Sequence, residues 1–319
     1  MNCSQFKSEA SNLFFTNLLL HFFPVCFKVT YICIKYLQKM PFLELFDETL
    51  DINSTENYEL AIQVSPDGLS FCLLDTIRNK FVLIRSFKPE DNKYFNINAL
   101  KDLINNDDFL TKNYKKVNIV VPSAKFTMVP SPLFDPAKKE DYYTFNHNKA
   151  EDDLIFVNKL SDPDAFLVFG LSRELNEMLN NYYQGSYPVH HLKPLLNQIS
   201  HNRKSEHNYY IHTHIERDFF NLIIYSSNQL IFCNTYNYRN ISDILYFVLN
   251  VFKKLEIKQE ETIYFSGLTE KYDDISSNFS MYIRNIKFAE PVGNFTFSYV
   301  FNDTDLHKFL NLFTIVNCE

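Results

Sequence analysis

From residue 58 onward, apolar positions fall into short runs separated by turn chemistry. Tyr58 to Val64 reads YELAIQV, a run of apolar and β-branched residues that predicts a strand. Ser65-Pro66-Asp67-Gly68 follows. Proline sets φ, and Asp-Gly suits a tight hairpin. Leu69 to Leu74 is a second strand and Phe81 to Phe87 a third, with Arg78-Asn79-Lys80 turning between them. Leu100, Leu103, Ile104 and Phe109 then recur at helical spacing, predicting a helix over 98–109 with Asn98 as its cap. Val117 to Val121 is a short continuous apolar run, the mark of a buried parallel strand. Pro122, Pro130, Pro132 and Pro136 make 122–136 an ordered loop with helical turns, and 135–150 reads as an excursion. Short strands are expected at 154–157, 166–169 and 187–192. Helices are expected at 172–181, capped by Ser172, and at 194–199.

Residues 200–207, SHNRKSEH, are polar and predict a linker or hairpin turn. The pattern then restarts. Strands are expected at 209–215, 219–225 and 230–236. A helix over 243–255 follows, capped by Ser242 and closed by Lys253-Lys254 at the negative end of its dipole. Thr262 to Phe265 ends at Gly267, and helix 272–283, strand 286–289 and a closing helix over 305–316 complete the chain.

Placed side by side, NYELAIQVSPDGLSFCLLD from Asn57 and NYYIHTHIERDFFNLIIYS from Asn208 lie 151 residues apart. Each begins three strands, then a helix starting at an Asn-Ile pair (Asn96-Ile97 and Asn240-Ile241), then a short apolar strand. A three-strand meander exposes one apolar face, a crossover helix covers it, and the fourth strand joins parallel beside the first. That is the ribonuclease-H-like layout. The expected class is α/β, a duplicated ribonuclease-H-like fold of the actin-like ATPase type with mixed sheets. Its halves are expected at 40–206, with insertions, and 207–319.

Composition narrows the function. The chain has 319 residues, with 31 Lys plus Arg against 38 Asp plus Glu, a formal charge of −7. No basic stripe interleaved with aromatics is present, so no nucleic-acid partner is expected. Glycine is scarce, 5 in all, which leaves few places for backbone to wrap a phosphate. The six cysteines form no CxxC pair, so free thiols in a reducing cytoplasm are expected. Residues 13–38, LFFTNLLLHFFPVCFKVTYICIKYLQ, are the exception. Their uncharged part is shorter than the roughly 20 residues a spanning helix needs. The readings are a marginal anchor, a buried accessory helix, or an extension upstream of a start at Met40. The last is preferred, and a membrane partner is expected only if the anchor is genuine.

The chemistry of the layout is thin. Ribonuclease-H-type hydrolysis needs carboxylates on the first strand. Here the first strands offer Ile62, Gln63 and Val64, and then His212, Thr213 and His214; Glu216 and Asp218 read as turn residues. Actin-like ATPases place Asp and Gly in the first hairpin of each half to organise Mg²⁺ and admit phosphate. Asp67-Gly68 is the one such pair, and it reads first as a hairpin turn. Gly267 stands alone where an adenosine-side loop would lie, and no Walker motif occurs. His212 and His214 share a strand face at metal-ligand spacing with no third ligand evident, and are expected to face solvent. His190-His191 are expected to point to opposite faces. The catalytic motifs therefore read as degenerate, with no cofactor and no catalytic residue expected. The weak cofactor candidates are Asp67, Gly68 and Gly267, and the weak metal candidates His212 and His214. Phe126, Met128, Val129, Leu133 and Phe134, on the proline-rich loop, are the expected partner-binding residues. The reading is a non-enzymatic cytoplasmic scaffold or adaptor; the alternative is a nucleotide-binding ATPase or switch with an atypical cleft.

Six segments together resemble a Bacteroidota family of unknown function, number 3822 among the domains of unknown function (DUF3822). They are LAIQVSPDGLSFCLL from Leu60, FTMVPSPLF from Phe126, LIFCNTYNY from Leu230, ISDILYFVL from Ile241, YFSG from Tyr264 and YIRNIKF from Tyr282. The likeness covers roughly residues 45–318. It implies an actin-like, duplicated ribonuclease-H-like fold, and no activity, cofactor or catalytic residue. The fold also looks like that of the actin-like pilus-assembly scaffold proteins.

Overall fold

Alternation along the strands decides which face each residue joins. Leu60, Ile62 and Val64 point into one core, and Ala61, between the first two, into another. The computed structural model describes residues 41–89, 94–203, 209–269 and 274–318. The hydrophobic segment 13–38, Met40 and residues 204–207 of the polar stretch 200–207 lie outside these residues, and so do the expectations made for them.

The first sheet is built from β1 (Leu43–Phe46), β2 (Tyr58–Ser65), β3 (Gly68–Asp75), β4 (Lys80–Phe87), β5 (Lys116–Val121) and β9 (Pro188–His190), in the order β1-β4-β3-β2-β5-β9. Its meander is antiparallel, and β5 and β9 join it in parallel. The second sheet contains β10 (Tyr209–Ile215), β11 (Phe219–Ser226), β12 (Gln229–Asn237), β13 (Thr262–Gly267) and β14 (Asn285–Phe288), ordered β12-β11-β10-β13-β14. Here too three antiparallel strands are followed by two parallel ones. Strand order and direction are thus the same in both, apart from the short strands on the outer edge of β4. A third, antiparallel sheet of β6 (Phe126–Pro130), β8 (Ala165–Ser172) and β7 (Asp153–Leu160) is inserted between β5 and β9.

Helices cover the faces. α1 (Ile97–Asn106) and α3 (Arg173–Tyr182) set Leu100, Ile104, Met178 and Leu179 against one face of the first sheet. α5 (Ile241–Lys254) and α6 (Asp274–Ser280) cover one face of the second through Ile244, Val248, Phe252 and Phe279. α4 (Leu192–Asn202) lies between the inserted sheet and the opposite face of the second, packing Leu195 and Ile199 with Leu167, Tyr210 and Ile223. The C-terminal segment returns to the first sheet. β15 (Thr296–Phe297) pairs with Lys80 and Phe81 of β4, and Phe313 of α7 (Leu310–Thr314) sits 4.9 Å from Phe81 and 5.0 Å from Phe297, centroid to centroid. Ser298 and Lys80 both donate to the buried carboxylate of Asp47, at 2.6 and 2.7 Å, tying that return to the end of β1.

Several local expectations are corrected. Asn96, not Asn98, caps α1, and Asn240, not Ser242, caps α5. Asn240 accepts from the Asp243 amide at 3.2 Å while Asp243 accepts from the Asn240 amide, a reciprocal box that leaves Ser242 no capping role. Replacing Asn240 by Ala is expected to lower unfolding stability by about 1 kcal/mol, read from the urea midpoint. Residues 126–130 form a strand despite Pro130, because β6 is an edge strand and Pro130 is its last residue. The 135–150 excursion contains α2 (Lys139–Asn146), which buries Tyr143. The closing helix is shorter than expected, with 3₁₀ turns on both sides of α7. The five residues expected to bind a partner are mostly packed inward: Phe126 and Met128 pack toward α4, Val129 and Phe134 pack under α2, and Phe134 stacks on Phe166 at 4.0 Å. Of those five residues Leu133 alone stays exposed.

Candidate functional site

The two β-hairpins that open the sheets face each other. The first is the turn Ser65 to Gly68, closed by the register pair Ser65–Gly68. The second runs from Glu216 to Phe219, where the Glu216 amide donates to the Phe219 carbonyl at 2.9 Å. Tyr94 and Phe95 bridge them. The Phe95 amide donates to the Pro66 carbonyl at 2.6 Å, and the Tyr94 hydroxyl donates to Asp218 at 2.7 Å. The Arg217 guanidinium lies over the Tyr94 ring, 4.4 Å from its centroid.

Below this bridge lies a buried polar cluster. His212 and His214 both place a ring nitrogen 2.7 Å from the Ser266 hydroxyl. His214 Nε2 is 3.1 Å from Glu216 and 3.0 Å from the Asn311 amide. His191 binds Asn221 at 2.7 Å, and Asn221 donates to Thr235 at 2.6 Å. The His190 and His191 rings are 4.4 Å apart, and His191 lies 5.7 Å from His214. These residues come from β9, α4's entry, β10 and the residue after it, β11, β12, β13 and α7. Three of the contributing strands are central to their sheets, which explains the burial.

Burial sets the protonation states. It pushes His191 down to about 4 and His212 and His214 down to about 3, and it holds His190 well below the usual range. Burial pushes Glu216 up to about 8, with His191 acting against the rise and the charge of Asp67 adding to it. At neutral pH a protonated Glu216 can therefore donate to His214 Nε2. Proton order then runs from His214 Nδ1 to Ser266 and on to His212.

Two expectations fail here. His212 and His214 do not face solvent; they are 0% and 2% exposed, because this strand face is covered by α4 and α7. The His190 and His191 rings do approach each other, because His191 begins the turn into α4 rather than continuing the strand. No three His, Cys, Asp or Glu side chains gather as a metal-ligand set among the described residues, and the two strand histidines close on a serine instead. Asp67 and Gly68 sit in the first hairpin facing this cluster. Gly267 ends β13 at φ +85°, and a Cβ there would fall 2.0 Å from the Ile215 carbonyl oxygen. Its position is required by strand contact. Tyr94, Glu216, Asn221, Ser266 and Asn311 were not anticipated as a group. The available signal was polar residues inside otherwise apolar strands, as in YYIHTHIE. A separate cavity of about 830 Å³ opens on the same face of the second sheet, lined among others by Tyr210, Tyr264, Phe288, Phe301 and His307.

Residues 47–286 match the family described as a protein of unknown function, DUF3822. The chain belongs to the DUF3822 family. A comparison with curated proteins finds no match. Among solved structures, a Bacteroides thetaiotaomicron protein with an actin-like ATPase fold and unknown function aligns at a TM-score of 0.66 and 23% identity. That alignment covers 85% of this chain and 100% of the other. The PilM–PilN type IV pilus biogenesis complex aligns at 0.53 and 11% identity, covering 81% of this chain and 98% of that one. This DUF3822 protein therefore has the actin-like ATPase fold. No helix among its described residues is long and apolar enough to cross a membrane.

Proposed function

We propose that this protein is a non-enzymatic cytoplasmic scaffold that binds a protein partner, built on a duplicated ribonuclease-H-like plan whose phosphate chemistry is lost. Its halves are 40–206 and 207–319, with the C-terminal segment crossing back to the first. One observation carries the reading: the hairpins that would embrace a nucleotide's phosphates are joined by the protein's own Tyr94–Phe95 bridge. The groups beneath it suit each other rather than an anion. Glu216 and the histidines are buried neutral, and Asp67 and Asp218 present carboxylates where a polyphosphate would need donors. The same carboxylates favour the second reading, a switch in which Asp67 helps hold Mg²⁺ beside a nucleotide. The fold's occurrence in a pilus biogenesis complex is consistent with a scaffold.

Calorimetric titration of the full chain with Mg²⁺–ATP separates them. The scaffold reading expects no binding below a dissociation constant of about 1 mM. Micromolar binding that Asp67→Ala removes, with the fold intact by circular dichroism, overturns it in favour of the switch.

A further inference from the structure

An unpaired strand edge invites another strand, and proteins guard such edges with charge, proline or brevity. Among the described residues, five of the six sheet borders carry such guards. β1 has four residues and holds Glu44 in an ion pair with Arg85. β9 has three residues and begins with Pro188. β14 has four and contains Lys287. β6 ends on Pro130, and β7 carries Asp153 and Lys159. β12 is different. Among the described residues it is the longest strand, nine residues reading QLIFCNTYN, with no charge and no proline. Its only irregularity is a bulge at Ile231, where Tyr225 pairs with Leu230 and Ile224 with Phe232. Beyond the bulge, Phe232 to Asn237 stays in regular register with β11. Among the described residues nothing pairs with its outer side.

We propose that this edge pairs with the same edge of a second copy of the chain, joining two five-stranded sheets into one about a two-fold axis at Asn234. The strand's chemistry selects that occupant. An antiparallel two-fold pair places residues of equal offset opposite each other on the same face. Centred on Asn234, it sets Phe232 of one copy across from Tyr236 of the other, and Cys233 across from Thr235. Phe232 and Tyr236 lie on the face covered by α5, where Tyr236 already stacks on Phe247 at 4.5 Å. Cross-strand aromatic pairs are favourable, and no like charges meet anywhere along the segment. The pairing is independent of whether the hairpin crevice binds nucleotide.

Because Asn234 is exposed and faces its own counterpart at the axis, one position tests both edge and register. Sedimentation equilibrium of the full chain is expected to give a species of twice 37.8 kDa. Asn234→Lys and Asn234→Glu should each weaken that dimer roughly tenfold or more by self-repulsion, while Asn234→Ser should stay dimeric. Mixing the Lys and Glu variants should restore dimer, as only a pair meeting at residue 234 would allow. A monomer at every concentration up to about 100 μM overturns the proposal. So does a dimer that neither charged variant weakens, or one that mixing fails to restore.

Discussion

Gly267→Ala is expected to lower unfolding stability by about 4 kcal/mol or more, seen as a large fall in the urea midpoint at unchanged slope. Two effects act together. The residue has φ +85°, a conformation that L side chains adopt only under strain. Its new Cβ would also meet the Ile215 carbonyl oxygen at 2.0 Å, far inside contact distance. Ile215 pairs with Gly267 in register and accepts the Leu268 amide at 2.7 Å. Relief therefore requires β10 and β13 to part at the end that positions Ser266 and Glu216. Gly185→Ala separates the effects. Gly185 has φ +79° but no neighbour within 4 Å of its Cβ position, so it should cost only about 1 kcal/mol. Equal losses in the two variants would show that contact with Ile215 is unimportant.

Stability is expected to peak near pH 6.5, falling steeply on the acid side and gently on the alkaline side. His190, His191, His212 and His214 have folded values depressed by burial. Below about 6.5 the unfolded chain takes up protons on them that the folded chain refuses, so stability falls with pH. Glu216 acts oppositely. Its folded value is raised to about 8 from 4.5, so the folded chain holds a proton that the unfolded chain releases. Its contribution is present at low pH and is lost as pH rises toward 8. Between pH 4.5 and 6.5 four histidines outweigh one carboxyl, giving about three net protons taken up on unfolding. Each net proton is worth about 1.4 kcal/mol per pH unit. Between 6.5 and 8 Glu216 acts alone with opposite sign. Urea midpoints across pH 4.5–8.5 check the shape. Glu216→Gln should flatten the alkaline limb while leaving the acid limb steep. A profile level from pH 5 to 8 would mean that the cluster is hydrated and ordinary.

Much of the fold was legible because its signals are local. The meander 58–87 follows from alternating apolar runs and the Ser65-Pro66-Asp67-Gly68 turn, and its counterpart at 209–236 repeats the same arrangement. α5 was legible from its period and Lys-rich end, though the cap was displaced by two residues. β6 was hidden because Pro130 is a strong local break, and only the pairing with β8 overrides it. The candidate site was far less legible. His212 and His214 were visible as a pair at strand spacing, yet nothing local distinguishes a solvent-facing strand from one covered on both sides. Ser266 and Asn311, 52 and 97 residues beyond His214, reach it only through folding. Tyr94 and Asp218 are 124 residues apart, beyond the reach of any spacing rule.

By itself the sequence determined the two meanders with the helix that follows each, the repeated order of those elements, and the scarcity of glycine-built phosphate loops. These depend on neighbours within a few residues, where backbone preference and apolar period act directly. Tertiary structure alone decided that four histidines and a glutamic acid share one buried interior, that the C-terminal segment seals the first sheet, and that no strand among the described residues pairs with the outer edge of β12. Burial is a property of the assembled layers: the same His-Thr-His strand would be wet at a surface and is neutral here because α4 and α7 close over it.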